Sequence, residues 1–323
     1  MTDSSGAQWE RAILEKVALK ALEEQRRSRQ WRSLFRLLWF VLVFLVFAAW
    51  IGWVGRPDRE IDGGLGAGKF TALVELEGVI GPETKASSER MIKALNRAFK
   101  NPNTQGVVVR INSPGGSPVQ AGYINDEIRR LRAKYPSIPV YAVVEDLCAS
   151  GGYYVAVAAD RIYVDKSSLV GSIGAIIGSF GFVGAMEKLG IERRAYTAGS
   201  NKDFLDPFAP EKPEHREHAK KMLDEIHQQF INTVKQGRGK RLKDSPEIFS
   251  GLVWTGERSI ELGLADGLGS AEYVAREVVK AEKLVDFTPE ENVFELVSRR
   301  IGTSFGEGFA RALSQSASSV QLR

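Results

Sequence analysis

Residues 140–158 read VYAVVEDLCASGGYYVAVA, and this stretch decides the fold of the chain. Its first part belongs to an apolar run that is typical of a buried strand, predicted over Ile138–Val144. After a Ser-Gly-Gly turn, small residues predict a helix over Ser150–Ala158. A strand that leads directly into a helix is part of a βαβ unit, so the stretch predicts a largely parallel sheet.

The same alternation continues on both sides of this stretch. It predicts strands at Phe70–Val79, Gly106–Ile111, Arg161–Val164 and Ile191–Tyr196, and helices at Ser87–Phe99, Val119–Ala133 and Glu211–Gln236. Alternating short apolar runs and amphipathic stretches favour the α/β class, and the pattern predicts one domain over residues 70–285.

Two glycine-rich turns follow buried strands and are the first candidates for chemistry. One is NSPGGS at 112–117, and the other is ASGGYY at 149–154. Ser150 is expected near a helix N-terminus, where free N–H groups stabilise an anion, which suits a nucleophile. The N–H of Gly151, with one from Gly115 or Gly116, could point at the oxyanion of a tetrahedral intermediate. Neither turn continues into Gly-Lys-Ser/Thr, so neither is a P-loop.

A serine nucleophile needs a base, and the three histidines do not offer a convincing triad. His215, His218 and His227 lie on one polar helix, and no cysteine or further histidine joins them, so we expect a solvated helix face rather than a metal site. The base is then a lysine or a carboxylate. Lys202 stands out because it follows a predicted strand and a glycine turn, although a lysine in this context, taken alone, is more often a surface loop residue.

The segment TAGSNKDFLDPF surrounds Lys202 with apolar residues. We expect Phe204, Leu205 and Phe208 to bury its amine. Burial lowers the pKa of a lysine, and only a neutral amine can accept the serine proton.

Five motifs in order give a resemblance to a known family. They are NSPGG, ASGGYY, GSIGAI, GSNKD and WTGERSIELGLADGLG. Over residues 70–281 the chain resembles the bacterial signal peptide peptidase A family, in its short, single-repeat, membrane-anchored form. The resemblance implies a Clp protease/crotonase-like fold, an α/β superhelix of repeated ββα units, preceded here by one transmembrane helix.

The resemblance also implies roles for particular residues. It places the nucleophile on Ser150, the general base on Lys202, a lysine-orienting hydroxyl on Ser172 and one oxyanion donor in the Gly115/Gly116 turn. It implies no cofactor, and a ring of subunits in which the serine and lysine of one site come from neighbouring copies. The resemblance implies, finally, that the substrates are remnant signal peptides or other apolar peptides released from membranes.

An uncharged apolar run covers Leu37–Gly55, and at the helical rise these residues span about 28 Å. Eight Lys/Arg precede it in residues 1–36, which predicts a cytoplasmic N-terminus and an extracytoplasmic (periplasmic) domain on the inner membrane. A cleaved signal peptide is the alternative, although its apolar region is shorter and ends in small residues.

The remaining segments carry no chemistry of their own. Residues 56–69 are predicted to be a flexible tether, and residues 286–323 a helical tail with a frayed end. Cys148 is the only cysteine, so no internal disulfide forms. The net charge of +4 gathers in the leader and at the ends, which argues against nucleic-acid binding.

These observations predict a membrane-anchored serine endopeptidase with a Ser/Lys dyad, acting on peptides beside a lipid bilayer. Two alternatives stay open. One is an inactive assembly scaffold of the same fold. The other is a crotonase-like acyl-CoA enzyme, which shares paired glycine-turn oxyanion donors but needs no nucleophilic serine.

Overall fold

The structure is a computed structural model that describes residue 31 and residues 35–47, 68–243 and 245–289. The chain divides into two compact units, Gly66–Pro289 and a second made of Met1–Leu65 with Glu290–Arg323. Most of the predicted leader, tether and tail lies outside the described residues.

The predicted membrane span is described only in part. Residues 35–47 are helical with exposed side chains, and residues 48–55 lie outside the description. Within the described residues, no helix is both long enough and apolar enough to cross a bilayer.

The unit Gly66–Pro289 alternates strands and helices. The strands are β1 (Phe70–Glu77), β2 (Thr104–Ser113), β3 (Val140–Ala149), β4 (Arg161–Val164), β5 (Leu169–Gly171), β6 (Val253–Thr255), β7 (Gly267–Leu268) and β8 (Leu284–Asp286). The α-helices are α1 (Ser88–Lys100), α2 (Pro118–Lys134), α3 (Gly151–Ala156), α4 (Val183–Leu189), α5 (Pro213–Arg238), α6 (Gly256–Glu261) and α7 (Ala271–Tyr273), the last continued by a π-helical turn (Val274–Val279).

One sheet contains all eight of these strands, and β3 is the strand where it forks. The main path runs β6-β5-β3-β2-β1-β8, while β4 pairs with β3 and β7 pairs with β4. Tyr141–Val143 of β3 pair with β4, and Leu147–Ala149 pair with β5. Every pairing is parallel except β5 with β6. The prediction of an α/β protein with a largely parallel sheet is confirmed.

The central strands are buried on both faces, as parallel strands covered by helices must be. On one face Leu73, Val108 and Val143 pack against Ala271 and Val274 from the C-terminal helical turn. Neighbouring positions along a strand point to the opposite face, and these are buried too. That second set includes Ala72, Val74, Val107, Val109 and Ala142.

The predicted strand Ile191–Tyr196 is wrong. These residues form no regular structure and are exposed, and none of the described strands pairs with them. The preceding helix α4, which the sequence did not predict, ends at Gly190 in the left-handed conformation (φ 68°). Ile191 N–H then caps the helix by donating to Met186 O at 2.9 Å. The apolar residues Ile191 and Tyr196, with charged residues between them, resemble a strand in sequence, but this segment lacks a strand to pair with among the described residues.

Candidate active site

Ser150 occupies a strained position between β3 and α3. Its backbone has φ 51° and ψ −120°, which lies outside the regions that non-glycine residues favour and costs on the order of 1–3 kcal/mol. A serine at the apex of a sharp strand-to-helix turn is the arrangement called a nucleophile elbow. The turn is held by Ser150 N–H, which donates to Gly171 O, and by Ser150 O, which accepts from Tyr154 N–H.

Helix α3 anchors the far side of this elbow. Tyr153 is fully buried, and its hydroxyl donates to Leu264 O at 2.8 Å. Asn125 of α2 donates through Nδ2 to Tyr154 O at 2.6 Å. The elbow is therefore fixed by buried hydrogen bonds to two separate parts of the fold.

The turn at Gly115 and Gly116 lies directly against the elbow. A Cβ placed on Gly115 would lie 2.6 Å from Gly151 N and 2.7 Å from Ser150 Cβ, so only glycine fits there. Gly115 also has φ 95°, which disfavours any side chain. A Cβ placed on Gly151 would lie 3.3 Å from Gly116 N. The two turns that the sequence singled out are thus neighbours.

The hydrogen bonds of this turn distinguish its two amides. Gly115 N–H donates to Ser113 Oγ at 3.1 Å, and that hydroxyl donates to Gly78 O at 2.6 Å. Among the described residues, no hydrogen bond engages Gly116 N–H or Gly151 N–H. These two amides are therefore the candidates for oxyanion donors. Sequence reasoning missed buried Ser113, whose only signal is its place just before Pro-Gly-Gly.

Ser172 lies close to the elbow in the structure. It follows Gly171, which pairs with Ala149 across β5 and β3 and accepts the Ser150 N–H. Ser172 also has a positive φ of 51°, and its N–H donates to Leu252 O at 2.8 Å. The peptide group between Gly171 and Ser172 therefore links the two serines, because its oxygen accepts the Ser150 N–H. Both serines have a positive φ.

Lys202 lies in a turn in which its N–H donates to Gly199 O at 3.2 Å. Its side chain is exposed, so the expected burial by Phe204 and Phe208 is absent within this chain. Phe208 stacks instead on Phe182, with ring centroids 5.3 Å apart. Among the described residues, no hydrogen bond joins Lys202 to Ser150 or Ser172. The dyad stays a prediction.

Of the three histidines that we expected on a solvated helix face, His218 is exposed and the other two are not. His215 is buried, with Nε2 3.2 Å from Asn201 Oδ1, and half-buried His227 has Nε2 3.1 Å from Ile173 O. Helix α5 packs this side against the segments that carry Lys202 and Ser172. Within the described part of the chain, no cluster of three or more His, Cys, Asp or Glu residues could hold a metal ion.

Cys148 is no rival to Ser150 as a nucleophile. Its side chain is fully buried, and burial raises the pKa of the thiol far above its usual range. A thiol that stays protonated is a poor nucleophile.

A model of peptidase family S49 matches residues 132–285. A putative protease of Methanocaldococcus jannaschii is 32% identical over 72% of this chain and 76% of its own length. A putative signal peptide peptidase SppA of Enterococcus faecium is 29% identical over 62% of this chain and 58% of its own length.

A longer relative, the Na(+)/H(+) antiporter NhaA of Brucella melitensis, is 51% identical over 54% of this chain. The matched region is only 24% of the length of that antiporter, and the same holds for its Brucella abortus counterpart. Among solved structures, ClpP1 of Listeria monocytogenes (N165D) aligns with 61% of this chain and 91% of its own at 15% identity, with a TM-score of 0.39.

Proposed function

The chain belongs to peptidase family S49, the signal peptide peptidase A family, and on that premise we propose that it is a membrane-anchored serine endopeptidase with a Ser150/Lys202 dyad. The observation that carries the proposal is the strained elbow at Ser150, which lies against two N–H groups that nothing else in the described residues engages. Backbone strain of this kind is retained where function uses it.

The proposed reaction is acyl transfer in two steps. Ser150 Oγ attacks the peptide carbonyl while neutral Lys202 Nζ takes its proton, and Gly116 and Gly151 N–H donate to the oxyanion. The resulting lysine ammonium then protonates the leaving amine. Neutral Lys202 Nζ then takes a proton from a water molecule, which attacks the acyl-enzyme and releases the acyl group, and the lysine returns the proton to Ser150 Oγ. Ser172 orients the lysine throughout.

Exposed Lys202 supports the further proposal that the site is completed in a homo-oligomeric ring. Burial favours the neutral form of an amine that must accept a proton, so we propose that groups from outside its own turn cover Lys202 in the assembly. The segment from 176 to 208 also carries exposed apolar side chains, including Ile176, Phe180 and Tyr196. Such a surface is typical of a contact between proteins.

The substrate and location are proposals as well. We propose that the substrates are remnant signal peptides or other apolar peptides, cleaved on the extracytoplasmic side of the inner membrane. The apolar run at 37–55 and the basic leader before it support a single-pass anchor with a cytoplasmic N-terminus. Protease added to right-side-out vesicles should then degrade the C-terminal domain and spare residues 1–30.

The decisive experiment measures cleavage of a signal-peptide mixture by mass spectrometry. Ser150→Ala and Lys202→Met should each abolish turnover, because members of a dyad act as a unit. Ser137→Ala, in the exposed turn before β3 and outside the proposed subunit contact, is the matched control and should cleave at the wild-type rate. Wild-type turnover by either dyad variant would refute the proposal.

A serine-reactive fluorophosphonate separates the proposal from the alternatives. The wild type should be labelled at Ser150, whereas an inactive scaffold should not be. A crotonase-like enzyme would instead release coenzyme A when the purified protein is denatured.

A further inference from the structure

The turn that carries Lys202 is fastened to the first turns of helix α5. On one side of Lys202, Asn201 Oδ1 lies 3.2 Å from His215 Nε2. On the other side, Asp203 Oδ2 accepts from Lys212 Nζ at 2.7 Å. His215 Nε2 also lies 3.9 Å from Asp203 Oδ1, a buried oxygen that accepts no hydrogen bond from the described residues. The imidazole therefore faces an acceptor on each side of the lysine.

The next residue along the turn is held by aromatic contacts. The ring of Phe204 lies edge-on to both His215 and His218, with centroids 5.4 Å from each. The side chains of three of the four residues from Asn201 to Phe204 thus contact helix α5 or its N-cap residue Lys212. Lys202 is the exception, because its side chain is exposed.

This arrangement fixes the backbone of Lys202 while leaving its amine free to reach a reacting serine. His215 is the central anchor, because it is buried and contacts Asn201 and Phe204 at once, with Asp203 close by. Within the turn itself, the backbone is held by local bonds from Lys202 N–H to Gly199 O and from Phe204 N–H to Asn201 O, and no described strand pairs with it, so its position relative to the rest of the domain depends on side-chain contacts such as those of His215.

We infer that His215 is a positioning residue for the peptidase reaction, one that sets the place of the Lys202 amine by clamping the turn on both sides of it. The inference rests on the proposed function, in which Lys202 is the general base. His215 itself does not touch the reacting atoms. Displacing a catalytic group by about 1 Å can cost about 100-fold in rate, so loosening this turn should act on kcat.

The test compares full-length variants on a fluorogenic peptide amide. We expect His215→Ala to lower kcat about 10- to 100-fold with KM unchanged within about twofold. His215→Gln retains an N–H that can donate to Asn201 Oδ1, and it should recover most of the rate. Asn201→Ala removes the acceptor from an exposed position, so it tests the same contact without disturbing the helix, and it should also lower kcat.

Arg216→Ala is the matched control. Arg216 is the next residue on α5, is exposed, and pairs with Glu211, which does not contact the Lys202 turn in the described residues, so this variant should keep the wild-type kcat. A wild-type kcat in both His215→Ala and Asn201→Ala overturns the inference. An equal loss of kcat in His215→Ala and Arg216→Ala also overturns it, because the loss would then come from damage to helix α5 and not from the contacts of His215 with the Lys202 turn.

A double-mutant comparison shows whether His215 acts through Lys202. On a nitrophenyl ester, whose leaving group needs no proton, residual turnover of Lys202→Met should be unaffected when His215→Ala is added. A further loss in the double variant overturns the inference. If Lys202→Met instead matches the wild type on the peptide amide, it is the proposed function that fails, whatever the His215 variants do.

Discussion

Gly115→Ala is the substitution for which the structure gives the sharpest expectation. The added methyl would lie 2.6 Å from Gly151 N, 2.7 Å from Ser150 Cβ and 2.8 Å from Ala149 O. Real contacts of this kind are about 3.5–4 Å, so the elbow must move or the turn must retreat. Either movement shifts Ser150 relative to Gly116 N–H, one of the two candidate oxyanion donors.

The size of the effect follows from two independent terms. Losing one oxyanion donor costs about 100- to 1,000-fold in kcat, equivalent to about 2.7–4 kcal/mol. Overpacking adds about 1–3 kcal/mol to the cost of folding, and the positive φ of 95° adds about 1–2 kcal/mol more. The free energy of unfolding should therefore fall by about 2–5 kcal/mol.

The assay measures kcat on a peptide substrate below the unfolding transition, which is followed by circular dichroism on the same samples. Gly122→Ala is the control, because a Cβ there meets no atom within 4 Å inside helix α2. That change should leave kcat unaltered and raise stability by about 0.5–1 kcal/mol. A folded Gly115→Ala protein with the wild-type kcat would show that this turn does not shape the oxyanion site.

Two further expectations concern the buried ion pair below the site. Arg238→Met removes a guanidinium that donates to Gly263 O and to both side-chain oxygens of Asp266. This substitution should lower the free energy of unfolding, measured in urea, by about 3–5 kcal/mol. Lys240→Met, at an exposed position, is the control and should leave that free energy unchanged. Burial would raise the pKa of Asp266, but the hydrogen bond and charge of Arg238 outweigh it and hold that pKa below its usual value. The stabilisation by Asp266 is therefore fully present at pH values above the usual pKa of a carboxyl group, and it is lost as the pH falls through the lowered pKa. The difference in free energy of unfolding between wild type and Asp266→Asn, measured in urea titrations, should therefore narrow from pH 7 to pH 3. A gap that widened with acid would contradict this sign.

The central strands could be predicted because burial on both faces leaves a continuous apolar signal. The predicted strand Arg161–Val164 matches β4, and the helix predicted at Val119–Ala133 matches α2 within one residue at each end. Short strands such as β5 and β6 escaped prediction. Each has three residues, and their pairing depends on neighbours far away in the chain.

The two glycine turns of the candidate site were also predictable, but their hydrogen bonds were not. Which amide of the Gly115/Gly116 turn stays free depends on the buried hydroxyl of Ser113, a tertiary contact. The exposure of Lys202 depends on tertiary contacts in the same way. Its apolar neighbours Phe204 and Phe208 pack against His215 and Phe182, on elements that precede and follow the turn.

A strained serine persists only where its surroundings hold it in place, and here the holding groups come from the far end of the domain. The helix after Ser150 is tied through the Tyr153 hydroxyl to Leu264 O, and Arg238 donates to the adjacent Gly263 O. Each such buried bond contributes about 0.5–1.5 kcal/mol, and more when an ion donates, so a few of them offset a strain of about 1–3 kcal/mol. The same loop carries Asp266, which accepts from Ile162 N–H at 2.7 Å and so joins it to β4. The strain at the elbow is thus offset by contacts that involve helix α3, the loop at 263–266 and strand β4. Arg238→Met should then lower kcat on a peptide substrate as well as stability, although Arg238 belongs to neither the proposed dyad nor the candidate oxyanion site.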